Sequence, residues 1–157
     1  KHAIQAGEYL ENLKVDVIFS STLQRAQNTA KQIAKSKNMH VNLNTAISEL
    51  SFGDFEGQPA VEVFGPNSEF FKEPNNKLFP NGDSLQLKIG ELRKFVDYLK
   101  AEFNNKTVVL VSHGGIFNLL AILLFEMPLY HFMAMYMDCC GVSTLFLDEN
   151  GCRIQTW

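Results

Sequence analysis

Residues 107–115, TVVLVSHGG, join a nearly all-apolar run to a histidine and two glycines. The run Thr107–Ser112 predicts a central parallel strand, because such strands are buried on both faces and are therefore apolar throughout. The glycine pair predicts a tight turn, and the residues at 116–125 predict a helix after it. His113 is thereby placed at the carboxyl end of a strand, the edge at which open α/β sheets bind ligands.

Helix and strand patterns alternate through the rest of the chain. Further helices are predicted at 2–13, 22–37, 84–103 and 128–137, and further strands at 15–19, 41–43, 142–147 and 152–157. The clearest apolar face belongs to the helix at 84–103 and consists of Leu85, Ile89, Leu92, Val96, Leu99 and Phe103. This order predicts an α/β fold, a three-layer sandwich in which helices cover both faces of a mostly parallel sheet with an antiparallel edge.

The composition indicates one domain over residues 1–157, because this length is enough to bury a full core. A formal net charge of -3 argues against nucleic acid or an anionic membrane as partner. The longest apolar stretch, Leu119–Phe125, is too short to cross a bilayer. Three cysteines form no disulfide framework, which favours reduced thiols and a cytoplasmic protein. Residues 58–79 lie in a proline-rich excursion and are predicted to be a substrate lid.

Three side chains stand out as chemically useful: His113, Arg25 and Glu49. Arg25 falls in the first turn of a predicted helix, after Ser21, where it can grip two oxygens of a phosphate while the helix N-terminus favours the anion. The apolar neighbours of Glu49 would raise its pKa and keep it protonated, as a general acid requires. A fixed cation, a carboxylic acid and an imidazole suit a phosphate monoester.

Each of these residues also has an ordinary structural interpretation. His113 would then be a core histidine that caps the next helix, and Arg25 a surface arginine. Glu49 would be a loop glutamate that caps a turn, a role that Glu56 fits equally well. The remaining histidines (His2, His40 and His131) have no motif around them and are expected to be surface or packing residues.

Four blocks in order resemble the histidine phosphatase superfamily, which has the phosphoglycerate mutase-like fold. They are SSTLQRAQNTA at 20–30, ELSFGDFEG at 49–57, PNGDS at 80–84 and LVSHGG at 110–115. The resemblance covers essentially the whole chain. It implies that Arg25 lies in the phosphate pocket, that Glu49 is the proton donor and that His113 lies against the phosphoryl group. Ser21 and Gly114 complete the predicted substrate-binding set.

The chain departs from the family pattern at three points. Asp83 stands where glutamate is usual, and Asn118 stands where an arginine is common. The family's signature opens the first strand with Arg-His-Gly, whose histidine is the nucleophile, and this strand has no counterpart here. We expect that strand upstream of Lys1, beside Thr107–Ser112, so that the domain as given is truncated at its N-terminus.

The resemblance implies a phosphatase that works in two steps, through a phosphohistidine, with no cofactor and no metal. Its partners would be a small phosphorylated metabolite and phosphate ion. The ELSFG block lacks the arginine and tyrosine of mutases, and the 58–79 connection is short, which favours a phosphatase resembling α-ribazole phosphatase. The alternatives are a mutase-type phosphotransferase or, without the nucleophile, a non-catalytic phospholigand-binding protein. Exposed sheet edges leave a homodimer open.

Overall fold

The computed structural model describes residues 2–59, 62–63, 79–135, 137–148 and 151–156. The helices are α1 (His2–Tyr9), α2 (Gln24–Lys37), α3 (Leu85–Glu102) and α4 (Gly114–Leu124), and the strands are β1 (Val17–Ser20), β2 (Asn42–Leu43), β3 (Val108–Val111), β4 (Thr144–Asp148) and β5 (Gly151–Thr156). Short 3₁₀ turns cover Thr45–Ile47, Gly53–Phe55 and Leu129–Met133. The predicted alternation of helices and strands is therefore present.

The main sheet is parallel and has the strand order β2-β1-β3. In register, Val17 faces Val108 and Ser20 faces Val111, so the two strands end side by side. The central place among the described strands belongs to β1, and β3 is paired on one side only. The predicted central place of Thr107–Ser112 depends on the upstream strand expected beside it, which the described strands do not test.

Helices cover both faces of this sheet. Alternate side chains of β1 point to opposite faces, so neighbouring residues of the strand pack against different helices. Phe19 packs with α3 and α4 on one side, and its ring lies edge-on to Phe95 with 5.5 Å between centroids. Ile18, which is fully buried, packs with Ala30 and Ile33 of α2 on the other side. The structure thus has three layers, which confirms the predicted α/β sandwich.

The helix α1 ends earlier than the predicted 2–13, at Tyr9. Beyond Tyr9 the chain forms turns with i to i+3 hydrogen bonds, such as that from the Glu11 N–H to the Glu8 carbonyl oxygen. Lys37 Nζ donates hydrogen bonds to the carbonyl oxygens of Glu11 and Leu13 at 3.2 and 2.6 Å. A lysine from α2 thereby satisfies carbonyl groups that would otherwise be left unpaired near a helix end.

Two predictions around α4 were wrong. The pair Gly114-Gly115 forms the first residues of the helix and not a tight turn. The predicted helix at 128–137 is a short 3₁₀ turn, because Asn118 Nδ2 donates to the carbonyl oxygens of Phe132 and Met135, at 2.7 and 3.2 Å. Asn118, at the position where the family often has arginine, therefore ties this turn to α4.

The strands β4 and β5 pair antiparallel, as predicted, but among the described residues they form a two-stranded sheet of their own and not an edge of the main sheet. Most of the predicted lid at 58–79 lies outside the described residues. Within the described ranges, no helix combines the length and the apolar character needed to span a bilayer.

Candidate active site

His113 follows the end of β3 and is the N-cap residue of α4. Its ring is held from both sides: Arg25 Nε donates to Nδ1 at 3.2 Å, and Nε2 lies 2.7 Å from Ser21 Oγ. Because Nδ1 accepts a hydrogen bond, the proton of the neutral ring is on Nε2. Burial and the positive charge of Arg25 lower the pKa of His113 to about 4, so the ring is neutral near pH 7.

Arg25 lies in the first turn of α2, as predicted. Its side chain reaches the ring of His113 and donates a hydrogen bond to it. The helix begins without a side-chain cap from its N-cap residue Leu23, although Ser21 Oγ accepts from the Leu23 N–H at 3.1 Å. Within the described residues, the terminal nitrogens of Arg25 have no hydrogen-bond partner. They are available to two oxygens of an anion, and the N-terminus of α2 favours negative charge at the same place.

Glu49 lies against the first turn of α4. Its Oε1 accepts from the Leu50 N–H at 3.2 Å, and the N–H of Gly115 also donates to its carboxylate. Burial raises the pKa of Glu49 above its ordinary value, although these two N–H groups and the charges of Arg25 and Lys88 act in the opposite direction. A carboxyl group with a raised pKa can carry a proton at a pH where most glutamates cannot.

The space for this carboxyl group depends on Gly115. A Cβ at that position would lie 2.6 Å from Glu49 Oε1, closer than non-bonded atoms approach. A Cβ at Gly114 would meet nothing within 4 Å. Gly114 was the glycine predicted to belong to the site, but the contact with Glu49 is made by its neighbour, Gly115.

Two loops hold the Glu49 segment in place. Ser51 N–H donates to Asp83 Oδ2 and Asp83 N–H donates to the Ser51 carbonyl oxygen, both at 2.8 Å. Gly53, at φ +56°, and Gly82 let the two backbones touch, since a Cβ at Gly82 would lie 2.5 Å from the Ser51 carbonyl oxygen. The ELSFG and PNGDS blocks are therefore joined to each other by hydrogen bonds. Asp83, at the position where glutamate is usual in the family, supplies the carboxylate that accepts from Ser51.

The structure brings Arg25, His113, Ser21 and Glu49 to one edge of the sheet, where β1 and β3 end. It places the other described histidines elsewhere: His2 lines a cavity of about 760 Å³ beside α1, and the His131 ring packs on Tyr130. None of the four residues that meet at this edge of the sheet lines that cavity. Among the described residues, no group of three potential metal-ligating side chains converges.

Two residues near this edge were not predicted from the sequence. Ser48 accepts from the Thr22 N–H at 3.1 Å and links the start of α2 to the loop before Glu49. Lys88 is buried on α3 and its charge acts on Glu49. Its position three residues after Leu85 and four before Leu92, on the apolar face, was a signal that could have revealed it.

An arginine, a neutral histidine and a buried carboxyl group at the carboxyl ends of parallel strands define an α/β enzyme of phosphate chemistry. The chain belongs to the histidine phosphatase superfamily (branch 1), which it matches over residues 1–157, and it is a phosphatase. This confirms the resemblance seen in the four sequence blocks.

Named relatives agree with this assignment. The chain is 29% identical over 154 residues to phosphoserine phosphatase 1 of Hydrogenobacter thermophilus, covering 96% of this chain and 73% of that protein. It is 25% identical over 130 residues to adenosylcobalamin/alpha-ribazole phosphatase of Escherichia coli, covering 78% and 64%. The native structure of a mycobacterial glucosyl-3-phosphoglycerate phosphatase matches with a TM-score of 0.84 at 24% identity, covering 99% of this chain and 83% of that one, which supports the fold.

Proposed function

We propose that this phosphatase hydrolyses small phosphate monoesters by passing the phosphoryl group through a histidine, with Arg25 and His113 as its phosphate-binding residues and Glu49 as its proton-transfer residue. One observation carries the proposal: the His113 ring bridges Arg25 and Ser21 at the strand ends. Glu49 lies against Gly115, two residues after His113. Cation, imidazole and carboxyl group thus lie together at the start of α4.

The reaction has two balanced steps. A histidine nitrogen attacks phosphorus, the bond from phosphorus to the ester oxygen breaks, and Glu49 donates its proton to the departing alkoxide. Water then attacks the phosphohistidine, Glu49 takes a proton from that water, and the nitrogen–phosphorus bond breaks to release phosphate. The Arg25 guanidinium neutralises charge on the phosphoryl oxygens in both steps, and His113 lies beside them and orients the guanidinium through its hydrogen bond to Nε.

A second histidine is proposed as the nucleophile. In the described geometry the Nδ1 lone pair of His113 is directed at Arg25 and its Nε2 proton at Ser21, so neither nitrogen is free to attack. We place the nucleophile upstream of Lys1, as the family resemblance implies. Rapid quenching of the natural full-length enzyme with substrate, followed by peptide mapping of the alkali-stable phosphohistidine, tests this. A label on His113 would contradict it.

The alternative of a non-catalytic phospholigand-binding protein predicts a different result from the same experiment. Such a protein would bind inorganic phosphate but form no phosphohistidine and release no phosphate from any ester. The phosphotransferase alternative predicts that the label passes to an added monophosphate acceptor faster than it passes to water.

The role of Glu49 is tested by comparing leaving groups. Glu49→Gln keeps the shape of the side chain but has no proton to give, so alkyl phosphates, which need protonation on leaving, should slow by about 100-fold or more. Phosphoryl transfer from p-nitrophenyl phosphate should be much less affected, because nitrophenolate leaves unprotonated. Equal losses with both substrates, measured in the pre-steady-state burst, would exclude Glu49 as the acid.

The substrate is proposed to be a small phosphorylated metabolite. The relatives are named for phosphoserine, α-ribazole phosphate and glucosyl-3-phosphoglycerate, and solved neighbours hold inorganic phosphate, vanadate and phosphoserine. A panel of these three esters, compared by kcat/KM, tests the choice among them, with the segment at 58–79 as the proposed lid.

The free cysteines support a cytoplasmic setting, and light scattering tests the homodimer.

A further inference from the structure

Ser21 carries a buried hydroxyl group that has three polar neighbours among the described residues. Its Oγ accepts from the Leu23 N–H at 3.1 Å, lies 2.7 Å from His113 Nε2 and lies 3.4 Å from Ser48 Oγ. Ser21 is 0% exposed, so bulk solvent does not reach it. The neighbouring protein atoms therefore determine the direction in which each of these hydrogen bonds runs.

The hydrogen bond from Arg25 sets the direction at one end of this group. An arginine nitrogen can only donate, so His113 Nδ1, which lies 3.2 Å from Arg25 Nε, carries a lone pair and no proton. The ring proton is then on Nε2 and is donated to Ser21 Oγ. With two bonds accepted, from His113 and from the Leu23 N–H, the Ser21 hydroxyl must donate its own proton to another atom.

Ser48 supplies the acceptor for that proton. Its Oγ is the third polar neighbour of the Ser21 hydroxyl, and it also accepts from the Thr22 N–H at 3.1 Å. Two accepted bonds leave the Ser48 hydroxyl to donate to Thr22 Oγ1, which lies 2.8 Å away in an exposed residue. The hydrogen bonds thus run in one direction, and the chain consists of Arg25, His113, Ser21, Ser48 and Thr22.

The opposite direction would break the contact between Arg25 and His113. If the Ser21 hydroxyl donated to Nε2, the proton of the neutral ring would be on Nδ1, where it would face the N–H of Arg25. Two donors cannot form a hydrogen bond with each other, so the guanidinium would lose its contact with the ring. The acceptor at Ser48 therefore favours one tautomer of His113 over the other.

We propose that Ser48 is a positioning residue for the phosphate site, which acts through Ser21 to hold His113 in the tautomer with its proton on Nε2. The inference rests on the proposed phosphate-binding role of Arg25 and His113. Ser48 does not contact the phosphate in this assignment. It keeps the Nδ1 lone pair directed at Arg25 Nε, so that the terminal nitrogens of the guanidinium stay oriented for two phosphoryl oxygens.

The experiment is nitrogen-15 NMR of the histidine rings in the natural full-length enzyme, without ligand and near neutral pH. Protonated and unprotonated ring nitrogens differ in chemical shift, and the His113 signals are identified by their loss from His113→Asn. In the wild type we expect the proton on Nε2. In Ser48→Ala we expect a large share of the ring to carry it on Nδ1. Ser48→Thr keeps the hydroxyl in an extended backbone that suits threonine, and it should restore the wild-type signals.

Two control variants separate this role from a general effect on structure. Thr22→Val removes the last hydroxyl of the chain at an exposed position, where water can replace it, so the tautomer should not change. Ser36→Ala makes the same exchange as Ser48→Ala at the other end of α2 and should change nothing at the site. Inhibition by inorganic phosphate should weaken in Ser48→Ala by roughly 2- to 10-fold, the effect of one lost hydrogen bond, and should be normal in Ser36→Ala.

Each outcome decides the assignment. A ring protonated on Nδ1 in the wild type, an unchanged ring in Ser48→Ala, or a change that Ser48→Thr does not reverse overturns it. Should Ser48→Ala fail to fold, Ser48→Cys, which has nearly the same shape but a weak acceptor, should give a smaller change in the same direction, and an unchanged ring there overturns the proposal. Failure of the proposed function looks different: inhibition by phosphate would then be as strong in His113→Asn as in the wild type, whatever the tautomer.

Discussion

Replacing Gly115 by alanine adds one methyl group at the point where Glu49 meets α4. The new Cβ would lie 2.6 Å from Glu49 Oε1, about 0.8 Å inside the ordinary contact distance of 3.4 Å. The helix backbone cannot yield easily, so the carboxyl group must move by a comparable distance. A displacement of about 1 Å at a catalytic group costs about 100-fold in rate, which corresponds to roughly 2.7 kcal/mol of transition-state stabilisation.

We expect kcat of Gly115→Ala for an alkyl phosphate to fall by about 100-fold, with little change in thermal stability, because alanine is a better helix former than glycine. Gly90→Ala is the matched control, since it makes the same change in α3 where a Cβ would meet nothing within 4 Å. Gly114→Ala should keep far more activity than Gly115→Ala, because its Cβ also points into open space.

A double-mutant cycle decides whether the loss acts through Glu49. If it does, adding Gly115→Ala to Glu49→Ala should cost nothing further, because the displaced group is already gone. The reasoning is refuted if Gly115→Ala keeps kcat within threefold of the wild type, or if the two losses multiply.

Two further predictions concern the other site residues. Arg25→Ala should lower kcat/KM by about 100- to 1000-fold and weaken inhibition by inorganic phosphate, and Arg25→Lys should recover little, because an ammonium cannot donate to His113 and grip two oxygens at once. Recovery by lysine to within tenfold would contradict the bidentate role. His113, with a folded-state pKa of about 4 against an ordinary value of 6.5, binds fewer protons folded than unfolded between those values, so the free energy of unfolding should decrease as the pH falls from 6.5 to 4. This loss, at most about 3.4 kcal/mol, should be absent from His113→Asn in urea titrations, and an equal loss in both proteins would contradict it.

The parts of the fold that were predictable are those in which local pattern and burial agree. The buried run at β3 and the periodic face of α3 were placed to within a residue or two, because burial on two faces or along one stripe leaves a direct mark in the sequence. The end of α1 was not predictable, because it is set by Lys37, a side chain 24 residues away from the carbonyl group that it caps. The short turn after Pro128 depends in the same way on Asn118.

The same distinction applies to the candidate site. Arg25, Glu49 and His113 stand next to glycines, serines and strand ends, and those neighbours made them visible in the sequence. Gly115 was overlooked because its importance comes from the carboxyl group of Glu49, which lies against it. A glycine pair in a sequence is typical of a turn, and only the fold reveals that a carboxyl group lies against one of the two glycines. A lysine in a helix is usually exposed, and only the packing of the helix reveals that Lys88 is buried.

The proposed role of Glu49 places two opposite requirements on its surroundings, and separate parts of the chain act on them. A group that first donates a proton and then accepts one needs a pKa near the working pH, and neither full burial nor full exposure supplies it. Burial against α4 raises the pKa of Glu49, while Arg25, Lys88 and two backbone N–H groups restrain the rise. Because these groups come from α2, α3 and α4, the balance exists only when all three helices are packed on the sheet, and a change in any of them should appear first in the pH profile.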